Sequence, residues 1–294
     1  SCCDGIAAIV GLPILTADGT ISAAALIQDR KVLRYIGKKY ITARREMGFL
    51  VPSKGYEYAT IKGHKCAIIV GDDLSRERDF DQSVETVISI NARKYGKGTM
   101  TYRYEMMRNL AFVESKNLVL VNQVGGSTDI VYDGTSGALN SRGELVLMMK
   151  NFEEDFQIFD TKASARPITI PSTYNDRTRL VYEAARCGLR DFFRKNGYRK
   201  ASIGLSGGID SAVVASIAAD ALGAENVRAL LMPSPFSSLE SVEDAKELAR
   251  NLGIEYNVIP ISEIYTSVVN TLKPVIGGTE FDATEENIQT RIRT

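Results

Sequence analysis

The chain has 294 residues, enough for two domains of ordinary size, and its 36 basic and 36 acidic side chains cancel, which excludes a global field that would gather nucleic acid or an anionic membrane. No apolar run approaches the ~18 residues of a bilayer span, and the first residues lack the charged-then-apolar order of a secretory signal. Cys2, Cys3, Cys66 and Cys187 have neither disulfide-framework nor zinc spacing, so a reducing cytoplasm is the expected compartment.

In the front half, apolar stretches predict strands over 6–10, 65–70, 84–90, 118–122 and 145–149. Turns are expected at Asn122–Gly126 and Asp133–Gly134, and one amphipathic helix over 100–115. This grammar fits an α/β layered domain with its own core. The Pro-, Ser- and Thr-rich stretch Ala163–Thr173 is the best linker, giving expected boundaries of 1–165, a linker over 166–176, and a second domain over 177–294.

The back half alternates helix and strand. Asn175 or Asp176 caps a helix to about Asn196, with Leu180, Ala184 and Cys187 on one stripe and Gly197 as its stop. A strand over 201–205, a helix over 212–222 ending at Gly223 and a strand over 227–232 follow. Ser237 and Glu240 form an expected capping box for a helix to Leu252, closed by Gly253. A strand over 256–261 and a helix from about Glu263 complete the series. Successive βα units imply a doubly wound parallel sheet with helices on both faces. Its ligands belong at the carboxyl ends of the strands, where Gly204–Ser211 and Met232-Pro233-Ser234 lie. The chain lacks an initiator Met and ends inside a helical pattern, so it reads as a fragment with the second domain truncated.

The most informative segment is Gly204-Leu205-Ser206-Gly207-Gly208-Ile209-Asp210-Ser211. A strand, a loop of small residues and a helix start bring backbone N–H groups together where the helix dipole favours an anion. Ser206 and Ser211 add hydroxyls, and Asp210 adds a carboxylate suited to Mg²⁺ on a polyphosphate. No lysine follows the glycines, so this is not the G-x-x-x-x-G-K-[ST] loop, nor is it G-x-G-x-x-G. An ordinary glycine-rich turn is the competing reading.

S-G-G-x-D-S resembles the pyrophosphate loop of the N-type ATP pyrophosphatases, which cleave ATP between the α and β phosphates and activate a carboxylate or carbonyl with AMP. GMP synthetases, asparagine synthetases and tRNA-thiolating enzymes share that loop. Met232-Pro233-Ser234-Pro235-Phe236-Ser237-Ser238, Ser241-x-x-Asp244-Ala245 and Thr284-Glu285-Glu286-Asn287-Ile288-Gln289-Thr290-Arg291-Ile292-Arg293 narrow the likeness to the synthetase domain of NAD synthetases. The resemblance implies an adenine-nucleotide α-hydrolase-like fold and a two-step amidation of deamido-NAD. ATP adenylates the nicotinate carboxylate, and ammonia displaces AMP. It further implies that Gly204 to Ser211 cradle ATP, that Asp210 holds Mg²⁺, that Leu231 and Met232 face the adenine, and that Asn287 and Arg291 hold deamido-NAD. Spacing alone makes Arg291 and Arg293 a solvated helix face. The family's later ATP and metal contacts would lie beyond Thr294.

Val10-Gly11-Leu12-Pro13, Gly37-Lys38-Lys39-Tyr40, Asn122-Gln123-Val124-Gly125-Gly126 and Asp133-Gly134-Thr135-Ser136 resemble the nitrilase-type amidase domain of glutamine-dependent NAD synthetases, an α-β-β-α layered fold. Such amidases use a Glu base, a Lys at the oxyanion and a Cys nucleophile. The resemblance matches Lys38 to the lysine, although a plain surface lysine is the bland reading. The nucleophile position is occupied by Gly71, in Gly71-Asp72-Asp73-Leu74-Ser75. Cys66 precedes it by an odd number of positions on one strand, so pleat alternation turns it away. Arg44 and Arg93 stand where a glutamine-binding Tyr and a Ser are expected. The expectation is a degenerate amidase. His64, the only histidine, is expected in a polar turn, and Asp72 and Asp73 in a solvated one. Cys2 cannot act as an N-terminal nucleophile, because Ser1 precedes it.

The family likeness implies ATP, deamido-NAD and ammonia or glutamine as partners, Mg²⁺ as cofactor, no nucleic acid or membrane, and a homo-oligomer. Another amide-forming ligase of the same loop class, and a non-catalytic nucleotide-binding scaffold, are the alternatives.

Overall fold

The structure, a computed structural model, describes residues 5–42, 44, 46–162, 166–174, 176–276 and 283–293. Cys2, Cys3, Asn175 and the side chains of Thr284 and Glu285 lie outside the described residues. The chain divides into two compact units, Ser1–Ala184 and Ala185–Thr294.

The first unit opens with an antiparallel meander of β1 (Ala7–Thr16), β2 (Gly19–Gln28) and β3 (Lys31–Gly37). Sequence reading caught only the start of β1. Ala23-Ala24-Ala25 has the composition of a helix, but packing overrides propensity here. Ala24, Leu26 and Ile36 are buried against Ala59, Ile68 and Val70 of a second, six-stranded sheet.

That sheet runs in the order β11 (Leu145–Met148), β10 (Gly137–Leu139), β7 (Asn117–Asn122), β6 (Thr86–Asn91), β5 (His64–Val70), β4 (Glu57–Ile61). Its β5–β6–β7 centre is parallel and its flanks are antiparallel. Ala67, Ile68 and Ile69 are all fully buried, so both faces of β5 are covered and its apolar run is continuous. A short hairpin of β8 (Val124–Ser127) and β9 (Ile130–Asp133) stands apart.

The predicted strand at Val84 begins at Thr86 instead, because the Val84 N–H closes a turn onto the Asp81 carbonyl at 3.0 Å. His64 is not in a turn; it opens β5, and its Nδ1 lies 2.9 Å from Glu85 Oε2.

Helix α1 (Thr99–Glu114) packs on β7 and β10 with Met100, Tyr104, Met107 and Ala111 inward at helical spacing. Arg103 is buried on that same stripe, with its Nη2 2.9 Å from both carboxylate oxygens of Asp133 and its Nη1 3.1 Å from the Gly134 carbonyl. Asn122 Nδ2 completes the cluster by donating to Asp133 Oδ1 at 3.0 Å. The segments Asn122–Gly126 and Asp133–Ser136 thus meet at one polar knot within the core.

The division between units falls inside α2 (Arg177–Asn196), whose start is capped by Asp176: its Oδ1 accepts the Arg179 N–H at 3.0 Å. The second unit has a parallel sheet, β12 (Ala201–Gly204), β13 (Val227–Leu231) and β14 (Glu255–Val258), in that order. α3 (Ile209–Leu222) and α4 (Leu239–Leu252) form the two crossovers, pack on each other and share one face of it. Their contact is made by Ala215, Ala218, Ala245 and Ala249, small enough for close approach and nearly fully buried.

α3 starts at Ile209 rather than Ala212, placing Asp210 in its first turn. α4 is capped by Ser238, not Ser237: the Ser241 N–H donates to Ser238 Oγ at 3.1 Å, while Ser237 Oγ accepts the Ser234 N–H at 2.9 Å. β14 stops at Val258, two residues before Pro260, which has no N–H for a ladder. α5 (Ser262–Ile276) and α6 (Ala283–Arg293) follow. Among the described residues no helix is long and apolar enough to cross a membrane.

Candidate nucleotide site and amidase-like site

The segment after β12 is held from both ends. Leu205 is buried, and its N–H donates to the Leu230 carbonyl at 3.0 Å, extending the parallel ladder by one residue. The chain then turns at Gly207 with φ +80°, a region that L side chains rarely adopt. A Cβ at Gly207 would also overlap the Ser241 carbonyl oxygen in the first turn of α4. Glycine is therefore required there twice over. Gly208 has an ordinary φ of −83° and forms the N-cap of α3 without a side-chain cap.

Two hydroxyls fill the loop. Ser211 Oγ accepts the Ser206 N–H at 3.2 Å and donates to the Gly208 carbonyl at 2.9 Å. Ser206 Oγ accepts the Gly208 N–H at 3.3 Å and lies 3.1 Å from Ser211 Oγ. The loop N–H groups converge as the sequence suggests, and each of these two meets a rotatable, exposed hydroxyl.

Beside the loop is a cavity of about 560 Å³, bounded by Gly204 to Ser206, the strand end at Leu231 and Met232, and Ser238 and Ser241 at the start of α4. Met232 crosses behind the loop, its Cε 3.4 Å from where a Cβ on Gly204 would stand. Asp210 and Ile209 are exposed on the first turn of α3 and do not border the cavity. Asn287 and Arg291 are exposed on α6, one turn apart, and are not in its lining either. Arg293 is. Its Nε donates to the Met232 carbonyl at 3.1 Å, and it is the one charged residue in the lining among the described residues. Arg293 sits about 200° around the helix from Arg291, so the two arginines cannot share a face. That period was the available signal.

In the first unit, Lys38 follows β3 directly, and its side chain is only 5% exposed. It is not a surface lysine. Its Nζ donates to Glu46 Oε2 at 2.7 Å and lies 3.8 Å from Asp72 Oδ2. Gly71 has φ +63°, and a Cβ built on it would stand 3.5 Å from Lys38 Nζ. A side chain at position 71 would thus lie against the end of the Lys38 side chain, and glycine leaves none there. Cys66 is buried on β5; burial pushes its thiol up, and its Sγ points back to the His64 carbonyl at 3.8 Å.

Asp72 and Asp73 are not in a solvated turn. Asp73 is fully buried and accepts the N–H groups of Lys39 and Tyr40 at 2.6 and 2.9 Å, fixing the chain just after Lys38. Burial raises its carboxyl, against the pull of those two N–H groups. Burial also pushes Asp72 up, but the Arg93 guanidinium, the Lys38 ammonium and the Thr42 hydroxyl together hold it below the usual carboxylate range. Arg93 Nη2 is 2.6 Å from Asp72 Oδ1, and the Arg93 N–H is fixed by Asn122 Oδ1 at 2.8 Å. Arg44 is exposed on a turn. Beside Gly71, the residues Glu46, Lys38, Asp72 and Arg93 form a chain of alternating carboxylates and cations. Sequence reading missed Glu46 and the role of Arg93, because charged loop residues carry no periodic signal. A larger cavity of about 840 Å³, bordered by Tyr95, Tyr102, Tyr174 and Arg177, holds none of the predicted residues.

Residues 181–294 match the NAD synthase family model. A glutamine-dependent NAD(+) synthetase of Acinetobacter baylyi is 33% identical over 281 residues, covering 92% of this chain and 52% of that protein. One from Synechocystis is 36% identical over 294 residues, again with 92% and 52% coverage. The structure of glutamine-dependent NAD+ synthetase from Acinetobacter baumannii in complex with adenosine diphosphate superposes with a TM-score of 0.85 at 32% identity, over 98% of this chain and 56% of that one. A Cytophaga hutchinsonii glutamine-dependent NAD(+) synthetase, at 16% identity and TM-score 0.79, shares the fold. The chain spans about half the length of the curated relatives it matches. Residues 181–294 thus match the NAD synthase family, and nearly the whole chain is similar in sequence and fold to about half of a glutamine-dependent NAD(+) synthetase.

Proposed function

We propose that the second unit is an adenylate-forming site. ATP binds with its phosphates on Gly204–Ser211 and its adenine toward Leu231 and Met232. The nicotinate carboxylate of deamido-NAD attacks the α-phosphorus, pyrophosphate leaves, and ammonia displaces AMP to form the amide. The observation that carries this reading is the loop: Gly207 is forced, and the N–H groups of Ser206 and Gly208 are satisfied only by hydroxyls that can turn away. A phosphate oxygen is a stronger acceptor than a hydroxyl, and the uncapped start of α3 favours its charge.

Asp210 fits a Mg²⁺ held chiefly by phosphates and water, since such an ion asks the protein for only one or two carboxylates. No group of three or more His, Cys, Asp or Glu gathers among the described residues, which argues against an all-protein cage. Bound there, the ion would neutralise polyphosphate charge. Asn287 and Arg291, one turn apart on α6, suit the acceptor dinucleotide.

The first unit supplies no ammonia from glutamine on this reading, because Gly71 offers no nucleophile to Lys38. The family likeness and the cysteine spacing further support a homo-oligomer in the cytoplasm.

Exchange of labelled pyrophosphate into ATP tests the first step. It should require deamido-NAD; exchange driven by another carboxylate and not by deamido-NAD would assign the chain to a different amide-forming ligase. Amide formation should then proceed with ammonium and not with glutamine. Efficient use of glutamine would overturn the argument from Gly71.

A further inference from the structure

We infer that Arg293 is the phosphate-binding cation of the nucleotide cavity. The inference rests on reading that cavity as a nucleotide site, and it adds a residue to which the sequence assigned no role beyond a solvated helix face. Gly204–Ser211 carries no lysine or arginine, and among the described residues every other one lining the cavity is uncharged. Apart from the start of α3 and a Mg²⁺ at Asp210, an anionic ligand there would meet only neutral hydroxyls and backbone. Arg293 supplies a positive charge from α6, an element remote in sequence from the loop.

Its guanidinium borders the same cavity as the loop residues Gly204 to Ser206. One of its five N–H donors is used: Nε reaches the Met232 carbonyl at 3.1 Å, at the carboxyl end of β13. No carboxylate among the described residues pairs with it. The brace fixes the plane of the fork and leaves both Nη groups to bind phosphate oxygens, for which that geometry is suited. The same bond ties the end of α6 to the strand end expected to face the adenine, so nucleotide binding and the seating of α6 are coupled through one side chain.

Calorimetric titration of the full 294-residue chain and its variants with ATP, ADP and adenosine separates the roles. A charge-assisted hydrogen bond to phosphate corresponds to roughly a tenfold to hundredfold change in affinity. Arg293→Gln should lose about that much for ATP and ADP while adenosine binding stays within about twofold. Arg293→Lys keeps the charge and is the gentler change for folding; it should lose several-fold for ADP and nothing for adenosine. Equal losses for ADP and adenosine in either variant would make Arg293 a brace for the strand end only and overturn the inference. Unchanged ADP affinity in Arg293→Gln would overturn it as well. A wild-type chain that binds none of the three ligands would instead remove the nucleotide reading itself, and this inference with it.

Discussion

At the scale of single residues, the two glycines that matter fail in different ways when replaced. Gly207→Ala must place a Cβ at φ +80° and against the Ser241 carbonyl, a backbone atom that cannot rotate away. Strain and overlap together cost on the order of 1–3 kcal/mol. We expect a lower melting temperature and at least about tenfold weaker ATP binding, with Gly208→Ala milder on both counts because its φ is ordinary. Equal effects of the two would contradict the geometry. Cysteines give a second check. Burial raises the thiols of Cys66 and Cys187, with the Asp191 carboxylate adding to the second. Both should resist iodoacetamide in the native protein at pH 8 and react on unfolding, as read by peptide mass mapping. Rapid native labelling of Cys66 would show that it is an accessible thiol and reopen a role in the first unit. Lys38 and Gly71 could be named from sequence as a resemblance, but their facing one another, with Glu46 and Asp72 beside the ammonium, required three-dimensional contact.

At the scale of elements, α1 depends on an ion pair buried in its apolar face. Arg103 and Asp133 have side chains 1% and 2% exposed. Removing one partner leaves the other as an uncompensated buried charge, a loss of about 3–5 kcal/mol. Asp133→Asn should therefore destabilise more than the double change Arg103→Met, Asp133→Leu, in urea unfolding monitored by circular dichroism. A double variant as unstable as the single one would show that the pair contributes more than mutual neutralisation.

The loop elements around Gly71 give a pH signature. The folded Asp72 carboxyl is held below its ordinary value, so its contribution is present above ~pH 4, the unfolded value, and is lost as pH falls through the folded one. Arg93→Gln should therefore lower the melting temperature at pH 7, and its difference from the wild type should shrink as the pH falls below the ordinary carboxylate value of ~4. A constant offset across that range would contradict the assignment.

Elements also mark where sequence reading succeeds. The βα series was legible because helix period, caps and glycine stops agree, with Asp176 and Gly253 standing where expected. β2 was not, since its alanine-rich run favours strand only once Ile68 and Val70 lie beneath it. The cap of α4 slipped by one because Ser237 and Ser238 offer identical side chains, and only the Ser234 turn consumes the first.

At the scale of the molecule, the chain joins two units of different standing. The first has a polar knot at Asn122, Asp133 and Arg103, and its Gly71 stands beside the buried Lys38. The second carries the loop Gly204–Ser211, proposed above to hold phosphate. The sequence motif located that loop but could not show that α4 forbids a side chain at Gly207, nor that Arg293 completes the cavity wall, because both contacts join elements distant in the chain. The central claim, ATP bound with its phosphates on Gly204–Ser211 and Mg²⁺ on Asp210, is tested most directly by calorimetric titration of ATP into the wild-type chain and Asp210→Asn, each with and without Mg²⁺. The account predicts saturable one-to-one binding that is strengthened by Mg²⁺ in the wild type and loses that dependence in Asp210→Asn. Absence of ATP binding by the wild type, or an identical response to Mg²⁺ in both proteins, would contradict it.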